Sequence, residues 1–309
     1  MFGKNGHKYF DFFLYIKKRI LRGFFEMKNI NKSLMMVFLL EECNFSCNHC
    51  VVEDEPMPIG YKLSFEQLKM CLSDCQSLET VEWVHFSGGE PTLWREGNLD
   101  LVDLLIEISK AGFEPGFTTN GSYFNDYTKC NELFQRYFNN SNKSLRLSIS
   151  IDTFHQNFNV PKGRAKSLDN VVQYKLTLPS EKKELLNVNI ITTISKDHKS
   201  LLPKKMINYY QSLGLTFYFL PLKAVGKAKS LSHLCPNLES EKQEELGAFY
   251  LFHQKGNKEE DETSNIVLIG NDYYWPQPRR KNKSIGYDFK KIGSLGHLPL
   301  KITDIYKIN

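Results

Sequence analysis

No apolar run in the chain approaches the roughly 18 residues that would suggest a membrane-spanning helix. A transmembrane span is therefore not expected. The start is too charged and aromatic for a secretory signal peptide. Cysteine is sparse at seven residues in 309, and none follows Cys235, so the chain does not read as a disulfide framework. No internal repeat is evident, which excludes a solenoid or array. With 41% hydrophobic and 24% charged residues, the chain can bury one barrel-sized core. One main domain with appendages is expected.

Charge is unevenly placed. Residues 1–32 and 279–309 each carry a net +6 and the stretch between them a net −7. Basic ends around an acidic body suit an acidic peptide, nucleic acid or a membrane surface, or are simply solvated lysines. Residues 1–32 also place Phe13, Ile16, Ile20 and Phe24 on one helical face with Lys17, Lys18, Arg19 and Arg22 beside it. Such a helix lies on a membrane, holds a partner or covers the domain.

The middle alternates strand and helix. Strand-like runs recur at 34–40, 81–86, 116–119, 145–151, 188–194 and 215–220, with helical periodicity between them. Ser64 and Gln67 form a capping-box pattern ahead of Leu68, Cys71, Leu72 and Cys75, which fall at i, i+3, i+4, i+7. Both cysteines therefore face a core. Leu101, Leu104, Leu105 and Ile108 repeat the pattern, as do Met206, Tyr209, Tyr210 and Leu213. Six βα repeats imply a parallel sheet buried on both faces.

Three cysteines, Cys43, Cys47 and Cys50, follow the first strand at C-x3-C-x2-C. An iron–sulfur cubane takes one thiolate per iron, so three thiolates leave one iron open. The competing ligand set is zinc with His49 as fourth ligand, but no second Cys/His pair lies at matching distance. The next strand runs into Ser87-Gly88-Gly89-Glu90-Pro91.

These two motifs, in this order, resemble the radical S-adenosylmethionine (SAM) enzymes. The resemblance implies a partial (β/α)6 TIM-like barrel over 33–228, with an N-terminal extension over 1–32 and a small C-terminal cap over 229–309. It implies one [4Fe-4S] cluster on Cys43, Cys47 and Cys50, and SAM on the open iron, its methionine amino group held by Gly88, Gly89 and Glu90. Thr118 and Asn120 at the end of the third strand are further SAM contacts by resemblance, or a strand-ending Asn-Gly turn. Ser150 and Asp152 match the family's Ser-x-Asp pattern and point toward SAM or substrate. With Ser148 they share one face of the fourth strand. His155 in the following loop positions substrate, moves a proton or makes a structural hydrogen bond.

Leu220-Pro-Leu-Lys-Ala-Val-Gly-Lys-Ala228 resembles the Pro…Gly-x-Ala stretch of relatives that carry an auxiliary-cluster domain, SPASM or twitch. This chain departs from them: Cys235 remains, but the hairpin at 266–276 continues with Gln277 where a cysteine is expected. Residues 229–309 thus read as a SPASM-like cap without its cluster. Cys235 is either a core relic or a hydrogen-atom donor.

The resemblance implies hydrogen abstraction by a 5′-deoxyadenosyl radical, an external flavodoxin or ferredoxin as electron donor, and a reducing, cytoplasmic setting. Among relatives, the peptide-modifying, epimerase-like maturases are most similar, which makes a ribosomally made peptide the expected substrate. The alternatives are a small molecule, a cofactor precursor or tRNA, or a non-catalytic protein that only binds cluster and SAM.

Overall fold

Alternation of buried and exposed side chains builds the sheet. In β1 (Ser33–Leu40), Met35, Val37 and Leu39 are fully buried on one face. In β5 (Leu186–Ile194), every second residue from Leu186 to Ile194 is buried and those between are not. The computed structural model describes residues 33–50, 60–77, 81–155, 165–196, 203–222, 224, 226–236, 265–269, 272–278 and 287–294. The basic amphipathic segment expected within 1–32 lies outside these residues, as does most of 237–309.

Between β1 and β5 come β2 (Val81–Gly88), β3 (Glu114–Thr119) and β4 (Leu145–Ser150); β6 (Thr216–Pro221) follows. Crossover helices α1 (Phe65–Ser77), α2 (Leu101–Lys110), α3 (Tyr127–Asn140), α4 (Lys166–Thr177), α5 (Ser180–Lys183) and α6 (Lys204–Ser212) connect them. All six strands pair in parallel in the order β1-β2-β3-β4-β5-β6. The fold is α/β, an open array of six βα repeats.

The helices form for the reasons legible in their sequences. Ser64 Oγ accepts from Gln67 N at 3.2 Å while Gln67 Oε1 accepts from Ser64 N at 2.8 Å, closing the capping box at the start of α1. Leu68, Cys71, Leu72 and Cys75 are all buried. Asp100 and Asp103 cap α2 reciprocally, and Asp126 caps α3. The apolar faces of these helices join alternate strand residues in one core, in which Leu104, Leu105, Phe117, Leu147 and Ile190 are fully buried.

The C-terminal hairpin is present as β7 (Asn265–Ile269) and β8 (Asp272–Pro278), with a further strand β9 (Tyr287–Ser294). These strands continue the sheet beyond β1. β7 pairs in parallel with β1, from Leu34↔Asn265 to Val37↔Leu268, and β8 and β9 follow antiparallel. Among the described residues the sheet's edges are therefore β6 and β9.

Candidate functional site

The cysteine loop leaves β1 at Leu40 and is fixed by the turn that leaves β2. Gly89 N donates to Leu40 O at 2.7 Å, Glu90 N to Glu42 O at 2.8 Å, and Glu41 N to Tyr61 O at 2.9 Å. The two backbones approach so closely that side chains are excluded. A Cβ on Gly88, which has φ +115°, would lie 2.6 Å from Leu40 O, and one on Gly89 would collide with the carbonyls of Glu41 and Glu42. The glycines thus serve first to seat the cysteine loop. At its far end Cys50 N donates to Cys47 O at 3.1 Å, and Cys50 O accepts from Lys227 N at 3.0 Å. That last bond joins the helical segment Gly226–Leu234, which follows β6, to the loop.

None of the three cysteines is in a disulfide. Cys43 Sγ accepts from Phe45 N at 3.4 Å and Asn120 Nδ2 at 3.8 Å. Burial pushes the Cys43 thiol upward, and these donors oppose the rise. Three thiols on one loop fit a polynuclear cluster in which each thiolate takes its own iron. His49 does not serve as their fourth ligand: it turns to Asp152, Nε2 to Oδ2 at 3.9 Å.

Glu90 is fully buried, and its carboxylate is taken up by the chain itself. Oε1 accepts from Thr92 N at 3.1 Å, Thr92 Oγ1 at 2.7 Å and Thr119 Oγ1 at 2.7 Å; Oε2 accepts from Asn120 N at 2.8 Å. Burial pushes the carboxyl upward and these four donors pull it down. Glu90 therefore ties the end of β3 to the end of β2. Asn120 extends the tie: its Nδ2 donates to Asn44 Oδ1 at 2.8 Å inside the cysteine loop. Thr118 is placed differently, hydrogen-bonded at 2.9 Å to His85.

At the end of β4, Asp152 is buried and accepts four hydrogen bonds. Oδ1 takes Phe154 N at 2.9 Å, His155 N at 3.2 Å and His155 Nδ1 at 2.8 Å; Oδ2 takes Thr193 N at 3.0 Å. Burial opposes ionisation of Asp152, but the His155 bond and charge outweigh it and hold the carboxyl below its usual range. The bond fixes His155 with Nδ1 toward Asp152, leaving Nε2 for another partner. His49 packs edge-on to His155 with ring centroids 4.6 Å apart, and burial pushes its pKa down to about 4. Ser148 is buried and Ser150 half-buried, and neither hydroxyl has a hydrogen-bond partner among the described residues.

Cys235 stands at the same end of the sheet, because Leu234 O accepts from Lys196 N, just beyond β5, at 2.7 Å. Its own Sγ reaches only Leu231 O at 3.8 Å. The strand ends thus collect Cys43, Cys47, Cys50, Gly88, Gly89, Glu90, Asn120, Ser150, Asp152, His155 and Cys235. Sequence reasoning missed the grouping of His49 with Asp152 and His155, whose ligand atoms lie within 4.8 Å of one another. It also missed His85, a polar residue inside an apolar strand.

His85 makes a measurable prediction. Burial first, and the charge of Arg146 second, push its pKa down to about 3. Its folded value is below its unfolded value of about 6.5, so its neutral form is favoured by folding and stability falls as pH drops below 6.5. Between pH 7 and 5 the cost is about 2 kcal/mol. Urea unfolding at the two pH values should show that part of the loss disappear in His85→Gln; an unchanged loss would refute the assignment.

Comparison with known proteins gives the same family. Residues 37–174 match the radical SAM superfamily model. A GTP 3′,8-cyclase of Campylobacter fetus is 30% identical over 146 residues, which is 45% of this chain and 40% of that protein. Among solved structures, anSMEcpe with bound AdoMet and a peptide is similar at 17% identity and TM-score 0.41, covering 62% of this chain and 50% of that one. Streptococcus suis SuiB bound to its precursor peptide SuiA is similar at 11% identity and TM-score 0.35, covering 84% and 63%. The chain spans about half the length or less of the cyclase and of anSMEcpe. Residues 37–174, which hold the three cysteines and the Gly-Gly-Glu turn, are a domain of the radical SAM superfamily, whose members work with a [4Fe-4S] cluster and SAM.

Proposed function

We propose that this chain is a radical SAM enzyme acting on a ribosomally made peptide, with Cys43, Cys47 and Cys50 as cluster ligands. When bound, the cluster and SAM supply a 5′-deoxyadenosyl radical that takes hydrogen from a substrate carbon. The observation that carries the reading is the cysteine loop, with three thiols at C-x3-C-x2-C and its backbone pinned on the Gly-Gly-Glu turn. Gly88 and Gly89 bring the turn's backbone to SAM, Glu90 holds Thr119 and Asn120 in place, and the unpartnered hydroxyls of Ser148 and Ser150 receive SAM or substrate. His155, its Nδ1 held by Asp152, offers Nε2 for a proton at the substrate. Cys235 on the same rim is our candidate donor of a hydrogen atom to a substrate radical, as an epimerisation requires. The electron comes from an external flavodoxin or ferredoxin. The cyclase relative supports the second reading, a small-molecule substrate.

Anaerobically reconstituted protein, given SAM and dithionite, should release 5′-deoxyadenosine detectable by mass spectrometry. A protein that holds its cluster but never forms 5′-deoxyadenosine would be a binding protein and not an enzyme.

A further inference from the structure

Asn120 stands where the end of β3 meets the cysteine loop, and both atoms of its amide are engaged there. Its Oδ1 accepts from Ser122 N at 2.9 Å. A backbone N–H only donates, so the oxygen is the amide atom on that side and the nitrogen is the one turned to the loop. Nδ2 carries two N–H groups and meets two acceptors, Asn44 Oδ1 at 2.8 Å and Cys43 Sγ at 3.8 Å. Asn44 is fixed in turn, because its own Nδ2 donates to Ser122 Oγ at 2.9 Å. The backbone of Asn120 is held as well, its N–H donating to the fully buried Glu90 carboxylate at 2.8 Å. The amide is thus aimed at the sulfur from three sides, by the Gly-Gly-Glu turn, by the turn after β3 and by the cysteine loop itself.

Two consequences follow from this geometry. Both N–H groups of the Asn120 amide are spent on the cysteine loop, so the side chain has none left to donate to SAM. The Cys43 sulfur in return gains a second donor beside Phe45 N, which lies at 3.4 Å. A thiol sulfur accepts weakly, whereas an ionised sulfur accepts in a charge-assisted bond. Donors on the ligand sulfurs are one of the means by which a protein sets an iron–sulfur potential. Reduction adds one negative charge to the cluster and its thiolates, and an N–H aimed at a sulfur stabilises the state that carries it.

We propose that Asn120 is a positioning residue for the cluster and not a contact of SAM: its amide donates to the Cys43 thiolate and raises the potential at which the cluster takes up its electron. This deepens the proposed function and rests on its assignment of Cys43 as a cluster ligand. The test is a dithionite titration of the reconstituted full chain, followed by electron paramagnetic resonance without SAM, on the parent, Asn120→Leu and Asn120→Ala, each after iron analysis. The midpoint should fall in both variants. At the parent's midpoint the reduced-to-oxidised ratio should drop about threefold or more, the value of one modest hydrogen bond, which is about 28 mV for one electron. Leucine excludes water beside the sulfur and alanine admits it, changes of opposite effect on the potential, so a fall common to both belongs to the lost donor. With no SAM present, a residue that only touched SAM would leave the midpoint unmoved. A midpoint that stays or rises in either variant holding about four irons, or loss of the iron from both, would overturn the inference and leave the radical reading intact. A parent that takes up no iron would overturn the ligand assignment of Cys43, and this inference with it, and the iron analysis tells the two failures apart.

Discussion

Replacing Cys43, Cys47 or Cys50 singly by alanine should strip the iron from the reconstituted protein, whereas Cys71→Ala should leave it in place. A cubane open at one iron has only three protein thiolates, and two do not hold it. The parent should carry about four irons per chain, one cubane, and the triple alanine variant essentially none. The other cysteines are dispersed: Cys71 and Cys75 are buried on α1, Cys130 is buried on α3, and Cys235 follows the helical segment after β6. Only Cys71 and Cys75 share an element, and with Cys130 on α3 and Cys235 after the helical segment no three of the four sit on one element or loop from which to hold a second cluster. Metal analysis decides the point. Near eight irons in the parent, or iron retained in the triple variant, would refute the ligand assignment.

The second large effect falls on Glu90. In Glu90→Gln an amide N–H₂ replaces one of two oxygens that together accept from Thr92, Thr119 and Asn120, setting donor against donor in a fully buried site. The expected loss is on the order of 3 kcal/mol, or roughly 10 °C in melting temperature for a domain of this size. Because the same bonds tie β2 and β3 beneath the cysteine loop, cluster retention should fall with stability. Thermal melts and iron content of the variant measure both. A Glu90→Gln protein that melts like the parent but binds SAM weakly would instead make Glu90 a pure ligand contact.

The local pattern of the chain carried most of this architecture. β1 to β6 fall within about two residues of the apolar runs, because strand alternation and helix periodicity are set by nearest neighbours. The capping box at Ser64 and the burial of Cys71 and Cys75 are local in the same sense. The parallel pairing of Asn265 with Leu34 was not legible, since it joins segments more than two hundred residues apart and no local period encodes it. The two glycines of the Gly-Gly-Glu turn were recognisable as points of close approach, and the structure shows the cysteine loop as one segment they approach. For Glu90 and Asp152, sequence marked carboxylates at strand ends without revealing the backbone, hydroxyl and imidazole donors they accept from.

The central claim is that one iron of the cluster on the cysteine loop is left open for SAM. Electron paramagnetic resonance of the reduced, reconstituted protein, recorded with and without SAM, tests it directly. SAM binding at the open iron should change the cluster's signal in the parent protein, and no cluster signal should be present in the triple cysteine variant. A parent signal that is identical with and without saturating SAM would contradict the account.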